Sequence, residues 1–151
     1  MAILSWGVKQ SFRGYIEAAG GAVAVTGGAE RAPDGGFLFP EGPESTLAQE
    51  PDGRLTGVGR FQGEVSFQAH GGMLNVVLTD PWVEATETGL ILSVAESPTR
   101  RVTFAKLDAA AMTTEADATV LPAAITLDGM FILGDHYPPG TVLDAVRVVG
   151  V

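Results

Sequence analysis

Short runs in which apolar and polar residues alternate, divided by glycine and proline, constrain this chain more than any other feature. Alternation puts successive side chains on opposite faces of a strand, whereas a helix needs a period near 3.6. Segments 22–25, 37–39, 55–61, 64–69, 73–79, 90–94, 102–107, 124–127, 130–133 and 143–149 carry it. His70-Gly71-Gly72 separates two of them, and Asp128-Gly129 stands between Thr126-Leu127 and Met130-Phe131, a strong hairpin signal. The expectation is all-β: an antiparallel sandwich or barrel-like fold of about ten strands. Segments 41–52 and 108–117 read as surface loops.

One stretch departs from the pattern. Val8, Phe12 and Tyr15 recur at helical spacing, with Ser11 beside them and Lys9, Arg13 and Glu17 on the far side. Ser5 is placed to cap this helix and Gly20-Gly21 to stop it. A short N-terminal helix packed on the sheet is therefore expected. At 151 residues, 46% of them hydrophobic, the chain suffices for one domain spanning 1–151.

Charge narrows the partners. Eighteen acidic residues against nine basic ones give a net charge of −9, which repels a phosphate backbone, and no segment clusters lysine or arginine. Nucleic acid is not an expected partner. No apolar run reaches the roughly 20 residues of a membrane-spanning helix, and the N-terminus lacks a signal-peptide pattern. As written the chain reads as cytoplasmic; a sequence trimmed of its leader would read the same and be secreted or surface-exposed. The absence of cysteine removes disulfides, thiolate metal sites and cysteine nucleophiles.

Few residues could carry chemistry. His70 closes a segment in which Val65, Phe67 and Ala69 point one way and Glu64, Ser66, Gln68 and His70 the other, so it lies on the polar face at a glycine turn. Taken alone it reads first as a surface or hairpin-capping imidazole. Tyr15 taken alone reads first as core packing, and Tyr137, in Gly134-Asp135-His136-Tyr137-Pro138-Pro139-Gly140, as a corner residue anchoring a turn. Gly57-Val58-Gly59 lacks the following helix that a phosphate loop requires. Asp135-His136 lacks a further histidine at ligand spacing, and neither Ser66 nor Ser93 sits in a nucleophile elbow.

Three ordered segments nevertheless resemble the HtaA haem-binding domain family of actinobacterial haem-uptake proteins. They are Trp6-Gly7-Val8-Lys9 followed by Ser11-Phe12 and Tyr15; the central stretch from Gly63 through His70-Gly71-Gly72 to Thr79-Asp80-Pro81; and Tyr137-Pro138-Pro139-Gly140 running into Leu143-Asp144. The resemblance implies a β-rich fold with a short helix, in which Tyr15 is the axial ligand of ferric haem b and His70 hydrogen-bonds its oxygen. It places Tyr137 near the same pocket. A phenolate suits ferric iron as a hard oxygen donor, and a hydrogen-bonding partner holds its orientation. Phe12 and Val8, with Met73 and Trp82 behind them, are the expected apolar wall, and Ser11, Arg13 or Arg60 the expected propionate donors.

The implied function is haem carriage, sequestration or buffering without catalysis, with a haem-donor or haem-acceptor protein as partner. Two other readings stay open on the sequence. One is a small-molecule enzyme using a Tyr/His acid–base pair in an apolar pocket. The other is a structural or interaction domain, including a homodimer formed through an edge strand.

Overall fold

Alternation resolves into antiparallel ladders. The computed structural model describes residues 1–151. In chain order the elements are β1 (Ile3–Trp6), α1 (Gln10–Ala18), β2 (Ala22–Thr26), β3 (Glu30–Arg31), β4 (Phe37–Pro40), β5 (Ala48–Gln49), β6 (Leu55–Thr56), β7 (Val58–Arg60), β8 (Glu64–Ala69), β9 (Leu74–Thr79), β10 (Trp82–Thr86), β11 (Gly89–Ser97), β12 (Arg100–Leu107), β13 (Thr113–Glu115), β14 (Ala118–Ile125), α2 (Leu127–Ile132) and β15 (Val142–Val149). A long sheet runs β3-β4-β1-β15-β14-β12-β11-β10-β7, with β13 paired to β14. A second sheet, β2-β8-β9, faces it, and β5-β6 form a small ribbon. No helix is long and apolar enough to cross a membrane.

The two sheets share one core. Phe37 of the long sheet meets Phe67 of the short one edge-on at 5.7 Å between ring centroids, and Trp6 meets Phe104 at 5.6 Å. Phe12, Phe37, Phe39, Phe61, Phe67 and Phe104 are all fully buried, each worth roughly 1.5–3 kcal/mol of transfer free energy. In β8 the expected alternation is observed, with Val65, Phe67 and Ala69 buried and Gln68 and His70 exposed.

Several sequence expectations are corrected. Ser5 does not cap the helix. It lies in β1, where Leu4 and Trp6 are buried and Ile3 is exposed, a short period-two pattern that the reading missed. The helix begins at Gln10, with no side-chain cap from its own N-terminal flank. Its end is as expected: Gly20 adopts φ +68°, and the Gly21 amide donates to Ile16. Segment 55–61 breaks at Gly57, φ +80°, into β6 and β7. Strand β14 starts well before residue 124 because Pro122, normally a strand-breaker, sits at a register shift between Leu121 and Ala123.

The hairpin expected at Asp128-Gly129 is instead helix α2. The Thr126 hydroxyl accepts from the Gly129 amide at 3.0 Å, and Asp128 adds an acid in the first turn, so the same residues that suit a tight turn suit a helix start. Gly129 is buried where a Cβ would strike the Phe104 carbonyl and lie 2.8 Å from Ile125 Cγ1. Gly129→Ala is therefore expected to lower stability by about 3 kcal/mol despite the better helix propensity of alanine. Urea unfolding of the two proteins checks it.

Candidate functional site

Helix α1 is fixed by a residue far away in sequence. The Gln10 amide donates to Asp144 Oδ1 at 2.9 Å, supplying from 134 residues away the cap that the local sequence lacks. Arg13 Nη2 meets Asp144 Oδ2 at 3.2 Å, while Arg13 Nε donates to the Gly7 carbonyl at 2.9 Å. The Asp144 backbone completes the junction, its amide donating to Val8 and its carbonyl accepting from Trp6 Nε1, each at 2.9 Å. Gly7 has no room for a Cβ, which would collide with the Asp144 carboxylate.

With the helix so held, Phe12 and Ile16 are buried and Tyr15 lies at the edge of the buried stripe, 43% exposed. Its hydroxyl is 2.5 Å from His70 Nε2, a short hydrogen bond. His70 reaches it because β8 ends at Ala69 and His70 turns into the left-handed region, φ 55°, at the start of the loop to β9. Gly71 and Gly72, at φ 67° and 93°, continue that turn at no steric cost.

A third segment closes on the same tyrosine. The loop after α2 brings the His136 ring to 6.5 Å from the Tyr15 ring, against 5.7 Å for His70. Both histidines of the chain therefore flank one phenol. The sequence reading weighed His136 only as a metal ligand and missed this; the available signal was its position beside Tyr137. Backbone strain marks the same place: Val8, His70 and Asp135 are three of five non-glycine residues with positive φ. For a β-branched residue such as Val8, φ 65°, this is a real outlier.

The other expected site residues divide. Ser11 is exposed one turn before Tyr15 on the same side of α1. Tyr137 is half-buried, its ring 6.3 Å from Phe12 and under Lys9 Nζ at 5.5 Å, so it braces the helix beside the site. Phe12 and Val8, expected to form the apolar wall, offer a ligand no surface: they are 1% and 0% exposed, and Phe12 packs against Phe67 at 5.1 Å. Met73, 91% exposed at the tip of the His70 turn, is available as apolar surface. Arg13 is committed to Asp144. Trp82 is removed from the expected wall, with Arg60 at 4.6 Å and Arg101 at 3.7 Å from its ring centroid. Burial lowers the Arg101 guanidinium below its ordinary pKa, against the opposing pull of Glu84 and Asp80.

Comparison with known proteins gives the family and the fold. The sequence matches the family model described as Htaa over residues 2–149. The chain belongs to the HtaA family. Its fold is also that of solved HtaA domains from Corynebacterium glutamicum. The C-terminal domain of HtaA superposes with a TM-score of 0.71 at 24% identity, covering 97% of this chain and 93% of that one. The N-terminal domain of HtaA gives 0.75 at 21% identity, covering 98% and 95%. The haem binding protein HtaB of the same organism gives 0.69 at 16% identity, covering 99% and 94%. No curated protein matches the sequence at a significant level.

Asp144 carries a prediction for this HtaA-family domain. Asp144→Ala removes a helix cap and a charge-assisted hydrogen bond together, and is expected to cost about 2 kcal/mol. The loss is read by urea denaturation, and amide exchange in α1 should accelerate more than in β14.

Proposed function

We propose that this chain binds ferric haem b, with Tyr15 as the iron ligand and His70 as the donor that holds the phenolate, and that it carries or buffers haem without catalysis. The observation that carries the reading is the 2.5 Å contact between Tyr15 Oη and His70 Nε2, at an exposed tyrosine in a member of the HtaA family. A haem binding protein, HtaB, shares the fold.

The donor set fits the group. Ferric haem supplies a Lewis-acidic iron for which a phenolate is a suitable hard donor. A free phenol has a pKa of about 10, so the anion needs support, and an imidazole N–H donating to the oxygen provides it while fixing the ring's direction. The phenol is open enough for a planar ligand to approach, and Met73 extends apolar surface beside His70. Ser11 is the propionate donor that the helix places next to Tyr15. Tyr137 acts through Phe12 and Lys9, bracing the helix that carries the ligand.

Hemin titration followed by absorbance tests this. The parent is expected to give one saturable Soret shift with a high-spin ferric, tyrosinate-type spectrum. Tyr15→Phe should abolish that spectrum and weaken binding by roughly a hundredfold or more, and His70→Ala should keep it with binding weaker by about tenfold. Equal affinity and spectrum in Tyr15→Phe would overturn the assignment. No Soret shift in the parent would return the Tyr15–His70 pair to the acid–base reading.

A further inference from the structure

The structure points to a second binding site, for a small oxyanion, in a groove on the face of α1 turned away from Tyr15; we infer it independently of the haem reading. The groove, about 500 Å³, lies between α1, the Gly21–Val23 end of β2, and β3-β4. Strand β2 pairs only with β8, so the sheets do not join here. Arg13 and Glu17, two residues before and after Tyr15, project about 160° from it on the helix and line the groove with Gln10 and Gly14.

The lining is cationic in an acidic chain. Arg13 and Arg31 line it with one carboxylate, Glu17, and Asp144, paired with Arg13, is the one acid at ion-pair distance from either arginine, in a protein whose net charge is −9. Arg31 has no carboxylate within ion-pair distance and lies over the Phe37 ring at 5.4 Å. Arg13 spends Nε on the Gly7 carbonyl and Nη2 on Asp144, which holds the guanidinium in place and leaves Nη1 without an acceptor. That nitrogen points at Gly35, where a Cβ would sit only 2.8 Å from it. Gly14 opens onto empty space. One guanidinium is thus pre-oriented with Nη1 unengaged, and a second stands exposed over Phe37. Together they suit an oxyanion that accepts from two donors, a carboxylate or a phosphate.

Inorganic phosphate and citrate, titrated separately into the full chain at low ionic strength, test it through the arginine Nε–Hε resonances. The expected result is one saturable site moving Arg13 and Arg31 for at least one probe, and the tighter probe identifies the oxyanion class. Arg31→Gln is expected to weaken that binding about tenfold or more. Gly14→Glu should abolish it by filling the groove with negative charge, while Gly14→Ala, which adds only a methyl group to open space, should retain it. Arg13 is left intact because it also holds Asp144. Non-saturating shifts with both probes, or unchanged affinity in Arg31→Gln, would overturn the inference. Arg31 is exposed, so its replacement keeps the test decisive even if Gly14→Glu fails to fold.

Discussion

Asp144 joins the chain's two ends to the face that carries Tyr15 and His70. It stands in β15, yet its two carboxylate oxygens and its backbone engage Trp6, Val8, Gln10 and Arg13. A nine-residue helix with no side-chain cap of its own is marginal in isolation. Tertiary contacts must therefore supply its position, through Phe12 and Ile16 below and Asp144 at its start. Tyr15 can meet His70 at 2.5 Å only if the rotation of α1 is fixed, since a turn of one residue, about 100°, would carry the phenol off the β8–β9 loop. The geometry of the Tyr15–His70 pair is thus inherited from contacts that neither residue makes.

This explains why three segments far apart in sequence meet in the fold. Trp6-Gly7-Val8-Lys9 and Leu143-Asp144 are the two sides of one joint: Trp6 Nε1 donates to the Asp144 carbonyl, Gly7 leaves room for its carboxylate, and Lys9 Nζ donates to the Val142 carbonyl at 2.9 Å. The central motif contains His70, whose imidazole meets the helix that the joint positions. A resemblance spread over these segments reports a spatial cluster, which is why together they carry more information than any one of them.

The sequence was legible where one physical cause dominated. In β8 alternation alone separated the buried Val65, Phe67 and Ala69 from the exposed His70. It failed where two causes competed or where the cause was distant. Asp128-Gly129 satisfies both a tight turn and a capped helix, and the burial of Gly129 against the Phe104 carbonyl decides for the helix, a fact of tertiary packing. Ser5 looked like a cap because the actual one, Asp144, lies far along the chain. Tyr15 and His70 were identifiable as a pair only through family resemblance, since nothing local links residues 55 positions apart. The approach of His136 to Tyr15 depends on α2, where the sequence predicts a hairpin, so its position beside Tyr137 was the one signal the sequence carried.

Strain and exposure converge on the same three segments, and the coincidence has a physical reading. A positive φ at Val8, His70 or Asp135 costs free energy that the chain would shed if these turns were free to relax. Each is held by something rigid: the Asp144 joint for Val8, the end of β8 for His70, and α2 for Asp135, whose amide donates to the Met130 carbonyl at 3.0 Å. The result is a phenol and two imidazoles presented toward solvent on stiff supports. Preorganisation of this kind lowers the cost of ordering side chains when a ligand arrives. On α1 the same rigidity serves the opposite face, because the Asp144 contact that sets the direction of Tyr15 also fixes Arg13. One short helix therefore presents two surfaces of different chemistry, and a single carboxylate sets the orientation of both.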